Sequence, residues 1–120
     1  MRARAGKRPA KVAEEARAIV AGAVQQRVHD PRLAEVTITE TELSPDLRQL
    51  RIYFSVLGDE ERVRQAEQGF ESASGYLRRI LAERLRMRYA PTLTFHVDHS
   101  LRSGSRIEEL LLELRDEDRS

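Results

Sequence analysis

The chain opens with a basic segment of small residues, and an apolar repeat of helical spacing follows it. Between residues 11 and 28, valine, alanine and isoleucine recur every three or four positions. This spacing predicts one amphipathic helix over 11–28, with a frayed segment before it. Asp30-Pro31 ends the helix, because proline cannot continue the helical hydrogen-bonding pattern.

Two stretches of alternating polarity come next, and both predict β-strands. They cover residues 36–43 and 49–57, and Ser44-Pro45-Asp46 between them is a turn sequence, so we expect a hairpin. The alternation of the first stretch slips by one position near Thr39 or Glu40. Such a slip predicts a β-bulge there.

Residues 59–86 return to helical spacing, over a length that argues against a single straight helix. Twenty-eight helical residues would span about 42 Å at 1.5 Å per residue, whereas a 120-residue domain has a diameter of roughly 35 Å. We therefore predict a break at Ala73-Ser74-Gly75, where glycine permits an irregular backbone and serine can cap a new helix.

A last alternating stretch, residues 92–98, predicts a third strand after Pro91. The right-handed crossover rule places this strand parallel to the second one. The expected fold is a single α+β domain over residues 8–114, in the order α-β-β-α-kink-α-β, with a three-stranded mixed sheet and the helices on one face. Flexible tails are expected at 1–7 and 115–120. A short C-terminal helix is predicted from four apolar positions, Ile107, Leu110, Leu111 and Leu114.

The composition bounds the class of protein. Apolar residues make up 40% of the chain and charged residues 34%, which predicts a folded domain in water. No apolar stretch approaches the length of a membrane span, and the first 18 positions contain no unbroken apolar stretch like the core of a signal peptide. The absence of cysteine excludes disulfides, thiolate nucleophiles and cysteine-based metal sites. We expect a cytoplasmic monomer.

No group of residues has the pattern of a catalytic or cofactor site. The glycines do not cluster as a phosphate-binding loop requires, since the closest pair is Gly69 and Gly75. His96, Asp98 and His99 resemble a metal or acid–base cluster, but strand alternation places His99 on the opposite face from the other two. We expect these three side chains to be solvated at the strand end. The sequence predicts no enzyme activity, no cofactor and no metal ion.

The net charge of +1 conceals an alternation of basic and acidic blocks. Residues 1–30 carry seven basic and three acidic side chains, and residues 72–106 carry seven and two. The blocks 31–71 and 107–120 are acidic. Two basic blocks that fold onto a common face would form a footprint for a polyanion.

The second basic block contains the most informative helical pattern. On the helix predicted after Gly75, Arg79 and Arg86 project away from the apolar side, and Arg78 flanks them. Arginines two turns apart on one face can contact the phosphates of a nucleic acid. An ordinary solvated helix face would show the same spacing, and the basic excess of the block favours binding.

This order of elements, with a helix interrupted in its middle, resembles the type II K-homology fold. Standard domains of that fold have a Gly-x-x-Gly loop at the break. Ala73-Ser74-Gly75 instead resembles the small-x-Gly pattern of the ribosome-binding factor A family. Further stretches fit the same family: Asp30-Pro31-Arg32-Leu33, Ser44-Pro45-Asp46-Leu47, Leu77-Arg78 with Leu81 and Leu85, and Arg88, Pro91, Leu93, Phe95, Asp98 and Ser100. The similarity covers residues 8–112.

The resemblance implies a non-enzymatic assembly factor that binds the immature small (30S) ribosomal subunit and promotes maturation of its 16S rRNA, including the 5′ end. It also implies a role in growth in the cold, and it allows other assembly factors as partners. Without the Gly-x-x-Gly clamp, binding would rest on a basic surface of the N-terminal segment, the break and the following helix. The expected RNA-binding residues are Arg78, Arg79, Arg86, Arg88, Ser74, Gly75, Lys7, Arg8 and Lys11.

One alternative from a different class stays open. The apolar stripe of the predicted C-terminal helix can pack on the domain itself, or it can dock on a protein partner. In the second case the chain is a protein-interaction module. Salt-dependent co-sedimentation with ribosomal subunits distinguishes this module from an RNA-binding factor.

Overall fold

The structure, a computed structural model, describes the backbone of residues 2–98 and the side chains of residues 10–98. The elements are α1 (Arg2–Gln26), a 3-10 helix (Pro31–Leu33), β1 (Thr37–Leu43), β2 (Gln49–Ser55), α2 (Glu60–Arg84) and β3 (Thr92–Val97). The predicted C-terminal helix and the tail 115–120 lie outside the described residues, so the docking alternative stays a prediction.

The three strands form the mixed sheet that the sequence predicts. β1 pairs with β2 in an antiparallel hairpin and β3 pairs with β2 in parallel, which gives the order β1-β2-β3. The register of β1 shifts between Ile38 and Glu40, so the predicted bulge is confirmed at Thr39. In the turn, Ser44 Oγ donates a hydrogen bond to Asp46 Oδ1 at 2.6 Å.

One face of the sheet carries the core, and both helices pack on it. Leu50, Ile52 and Phe54 of β2 are fully buried, and α1 contacts β1 while α2 contacts β3. The ring of Phe70 on α2 lies 4.9 Å from the ring of Phe54 and 4.7 Å from that of Phe95, measured between centroids. These aromatic contacts fix α2 over the two parallel strands.

The predicted break at Ala73-Ser74-Gly75 is wrong, because α2 is one helix of 25 residues. At 1.5 Å per residue it spans about 37 Å, and a domain of helices layered on a sheet is not the sphere that the length estimate assumes. One helical glycine costs about 1 kcal/mol. Burial of Phe70 and Leu77 on either side of the segment outweighs that cost at ~1.5–3 kcal/mol for each large side chain.

The first helix also differs from its prediction. α1 begins at Arg2 instead of residue 11 and ends at Gln26. Alanine, arginine and lysine in the opening segment favour helix, whereas Gly6 and Pro9 in the same segment oppose it. The predicted tail 1–7 thus falls largely within the backbone of α1. No helix among residues 2–98 combines the length and the apolar character that crossing a bilayer requires.

Candidate nucleic-acid interface

A groove of about 820 Å³ lies where the C-terminal end of α2 meets the β1–β2 turn and α1. We call it the arginine groove. Its polar rim carries Arg48, Arg86, Arg88 and Tyr89, and its apolar wall includes Val12, Leu47, Leu85 and Met87. The backbone N–H of Thr92 donates to the carbonyl of Arg48 at 2.8 Å, so the turn and the start of β3 are held together beneath it.

The end of α2 places Arg86 beside the groove. Leu85 caps the helix, and Arg86 adopts a left-handed backbone with φ 51°. The N–H groups of Arg86 and Met87 donate to the carbonyls of Glu83 (3.3 Å) and Ala82 (2.9 Å). In this Schellman arrangement the left-handed position is normally glycine. A residue with a Cβ costs about 1 kcal/mol more there, so the position of Arg86 is locally unfavourable.

Two arginine–tyrosine pairs lie along this end of the helix and the loop after it. The guanidinium carbon of Arg88 lies 5.6 Å from the ring centroid of Tyr89, and that of Arg79 lies 5.6 Å from the ring centroid of Tyr76. Both distances are within the range of a cation–π contact. Tyr89 nevertheless stays 74% exposed.

The groove arginines take part in none of the ion pairs among residues 10–98, although the charge of Arg48 acts on the nearby Asp46 carboxylate. The ion pairs there involve Arg17, Arg32, Arg51 and Arg64. Asp46 lines the groove, and hydrogen bonds from the Ser44 hydroxyl and the backbone N–H of Arg48 hold the pKa of its carboxyl below the ordinary value. Three guanidinium groups therefore face one carboxylate, and the described lining is positively charged.

The structure separates the arginines that the helical pattern grouped together. Arg79 is exposed on α2, as expected. Arg86 lies beyond the end of the helix, so the prediction that it shares a helical face with Arg79 is wrong: the left-handed cap redirects the chain. Arg78 is bound to the protein itself, since its guanidinium donates to the carbonyls of Pro91 (2.9 Å) and Ala90 (3.4 Å).

Ser74 and Gly75 lie in the interior of α2. Their backbone N–H groups donate to carbonyls four residues earlier, and so they are not free to hold a phosphate as a Gly-x-x-Gly loop does. A Cβ at Gly75 would meet nothing within 4 Å, so packing does not require glycine there. Lys11 is exposed, and the side chains of Lys7 and Arg8 lie outside the described residues.

Of the three residues near the end of β3, His96 and Asp98 are described, and His99 lies outside the described residues. His96 is exposed, with its ring 5.5 Å from that of Tyr53. Asp98 is buried and accepts a hydrogen bond from the Thr39 hydroxyl, so the prediction that it is solvated is wrong. Thr39 is the bulge residue of β1, and the backbone N–H of Asp98 donates to the carbonyl of Phe54 at 2.7 Å. No group of three potential metal ligands is present in the described part of the chain.

The pattern analysis missed Arg48 and Tyr89. Arg48 comes from the turn after β1 and meets Arg86 and Arg88 only through the fold, so periodicity gives no sign of it. Tyr89 carries a signal that was available, since it follows Arg86-Met87-Arg88. Aromatic residues interleaved with arginines are typical of surfaces that bind single-stranded nucleic acid.

Arginines at the other end of α2 hold the fold together. Arg62 donates to the carbonyls of Arg32 (2.8 Å) and Ala34 (2.6 Å). Arg32 in turn donates to Ser72 Oγ at 3.1 Å and pairs with Asp30. These bonds fasten the 3-10 helix to α2, so these arginines are structural.

Comparison with known proteins places the chain in a family. The family model described as ribosome-binding factor A matches residues 8–111. The chain belongs to the ribosome-binding factor A family. A relative of that name from Geobacter sulfurreducens is 40% identical over 110 residues, which cover 92% of this chain and 93% of the relative. One from Halothermothrix orenii is 38% identical over 97 residues, covering 81% and 80%.

Solved structures of ribosome-binding factor A have the same fold. The crystal structure of the Thermus thermophilus protein is 31% identical and gives a TM-score of 0.64, with 72% of this chain and 92% of that one covered. A homology model of a Thermus thermophilus ribosome binding factor A, fitted into the cryo-EM map of a 30S complex, gives a TM-score of 0.59 at 31% identity, covering 72% and 90%. The predicted α+β fold with its mixed sheet is confirmed, apart from the break in α2.

Proposed function

We propose that the protein is a non-enzymatic assembly factor that binds the immature small ribosomal subunit through its 16S rRNA. The observation that carries this proposal is a set of three arginines in the last part of α2 and the loop after it. Arg79, Arg86 and Arg88 are exposed and take part in none of the ion pairs among residues 10–98. Such guanidinium groups can pair with phosphates without breaking an internal ion pair. Membership of a family named for ribosome binding, and the 30S complex of a Thermus relative, support rRNA as the polyanion.

The wider proposal follows the family resemblance. The protein acts in the cytoplasm as a monomer, promotes maturation of 16S rRNA including its 5′ end, and supports growth in the cold alongside other assembly factors. A factor that binds one rRNA conformation in preference to others shifts the population toward it, which requires no catalysis. Lys7, Arg8 and Lys11 would extend the basic surface, and Ser74 and Gly75 would contribute only a small-residue surface.

Co-sedimentation with small subunits over a series of salt concentrations tests the proposal. The variant Arg79→Ala/Arg86→Ala/Arg88→Ala should bind more weakly, and the slope of log K against log salt should become shallower by about 2–3, since each lost phosphate contact removes ~0.7–0.9. Arg78 is left intact, because its hydrogen bonds to Ala90 and Pro91 give it a structural role.

The matched control removes the same charge elsewhere. Arg17→Ala/Arg51→Ala/Arg64→Ala also deletes three arginines, each from an ion pair with a carboxylate. It should keep the wild-type affinity and slope. Equal losses in the two variants would show that only net charge matters, and unchanged binding in the first variant would contradict the proposed interface.

A further inference from the structure

The arginine groove contains an exposed aromatic ring that phosphate binding alone does not explain. Leu57 and Tyr89 are the exposed large hydrophobic side chains of the described part of the chain, and of these two Tyr89, 74% exposed, lines the groove. The adjacent Arg88 guanidinium lies 5.6 Å from the ring centroid. An aromatic ring held beside a cation offers a nucleobase a stacking surface and its backbone a charge partner.

The groove has the size and the chemistry for a nucleotide. Its volume of about 820 Å³ falls within the ~300–1,000 Å³ typical of small-ligand sites. Leu47, Leu85 and Met87 provide apolar contacts inside it, while Arg48, Arg86 and Arg88 provide the charge. A surface that binds only double-stranded RNA needs phosphate and 2′-hydroxyl contacts but no stacking ring, because the bases of a duplex are already stacked on each other.

Backbone strain is concentrated at the same place. Among the described residues, three non-glycine residues have positive φ: Glu35 (64°), Leu47 (64°) and Arg86 (51°). Leu47 and Arg86 both line the groove. Unfavourable backbone conformations cluster at ligand-binding sites, where they hold side chains that a relaxed backbone would place elsewhere.

We propose that the arginine groove holds an unpaired nucleotide of rRNA, with its base stacked on Tyr89 and its flanking phosphates paired with Arg48, Arg86 and Arg88. The inference rests on the proposed function and specifies single-stranded rRNA, not a helix, as the ligand of this surface. Stacking is tolerant of sequence, because every base has a π-face.

Binding of fluorescein-labelled RNA pentanucleotides of random sequence, measured by fluorescence anisotropy on the full chain, tests the inference. Tyr89→Ala should weaken binding roughly 5- to 150-fold, which corresponds to the ~1–3 kcal/mol of one base–aromatic stack. Tyr89→Phe should bind within about twofold of wild type, since it keeps the ring. Tyr53→Ala is the control, because it removes a tyrosine that lies on the sheet beside His96 and outside the groove lining.

A second arm separates stacking from charge. Pentanucleotides in which all five residues are abasic keep every phosphate but have no base to stack, and wild-type protein should bind them more weakly than intact RNA. Tyr89→Ala protein should bind the two pools equally, because its stacking surface is gone. The inference is overturned if wild-type protein binds intact and abasic RNA equally, or if it does not detectably bind the intact pool. It is also overturned if an RNA duplex competes as well as single strands do, or if Tyr89→Ala keeps the wild-type affinity.

The same variant distinguishes failure of the inference from failure of the proposed function. If wild-type protein co-sediments with small subunits but Tyr89→Ala and wild type bind pentanucleotides with the same affinity, the proposed function stands and the nucleotide site is refuted. Wild-type protein that does not co-sediment at all refutes the proposed function, whatever the groove binds.

Discussion

At the N-terminal end of α2 the arginines are bound to the protein, whereas at the C-terminal end most of them face solvent. The Arg62 guanidinium donates hydrogen bonds to two carbonyls in and beside the 3-10 helix, and Arg64 forms an ion pair with Glu61. Arg86 and Arg88 are exposed beside the arginine groove and take part in none of the ion pairs formed within residues 10–98. One residue type thus has opposite roles at the two ends of one helix.

The net charge also differs between the two ends of α2, from acidic at its start to basic at its end and in the loop that follows. Residues 59–71 contain five acidic and two basic side chains, while residues 72–88 contain one acidic and five basic. The helix dipole favours acids at the start of α2 and explains Arg84 in its last turn. It does not explain Arg86 and Arg88, which lie beyond the helix, so their charge is available to a ligand.

Backbone geometry adds to the comparison of the two ends. Where the 3-10 helix packs on α2, a Cβ at Gly69 would lie 3.0 Å from the Leu33 side chain, so glycine permits the close packing of the two helices. At the C-terminal end Arg86 holds the left-handed position that suits glycine. Glu35, next to the 3-10 helix, also has a positive φ, at 64°. The strained residue is therefore a carboxylate at the structural end and a guanidinium at the candidate interface.

The largest expected effect on stability is at the structural end. Arg62→Ala should lower the free energy of unfolding by about 2 kcal/mol, because charged hydrogen bonds to two carbonyls are lost. Urea denaturation measures it. Arg64→Ala is the control and should change stability by less than about 0.5 kcal/mol, because its pair with Glu61 is exposed.

The affinity of Arg62→Ala protein for small subunits is the second measurement that compares the two ends. Folded Arg62→Ala protein should bind small subunits as wild type does. In the wild type the Arg62 guanidinium already donates to two carbonyls of the protein itself, so it is not available to RNA. A loss of affinity as large as that of Arg79→Ala/Arg86→Ala/Arg88→Ala would contradict the division between a structural and a binding end.

A smaller effect is expected in the middle of α2, where the two ends join. Gly75→Ala should raise the free energy of unfolding by about 0.5–1 kcal/mol, because alanine favours helix and a Cβ there meets nothing within 4 Å. Thermal unfolding followed by circular dichroism measures the change. Destabilisation by Gly75→Ala would instead show that the helix is broken at this point, as the sequence pattern predicts.

The strands and the turn were predictable because their signals are local. Alternation in β2 reports one buried face, and the slipped alternation at Thr39 reports the bulge. The continuity of α2 was not predictable from Ala73-Ser74-Gly75, because tertiary burial of the flanking turns decides whether a helix tolerates a glycine.

The candidate site was predictable only in part, for a similar reason. The basic excess after residue 72 locates the region, but a helical wheel assumes that the helix continues. It therefore places Arg86 wrongly, since α2 ends at Arg84. The wheel also cannot show that Arg78 binds the carbonyl of Pro91, or that the β1–β2 turn brings Arg48 to the groove.

The most direct test of the account is a pair of glycine substitutions at the two ends. Arg86→Gly and Glu35→Gly each relieve a positive φ, so each should stabilise the domain by about 0.5–1 kcal/mol. The account predicts that only Arg86→Gly, although more stable, binds small subunits more weakly and with a shallower salt slope, while Glu35→Gly keeps wild-type affinity. Wild-type affinity in Arg86→Gly, or an equal loss in Glu35→Gly, would contradict the claim that Arg86 is held in a strained position to bind rRNA.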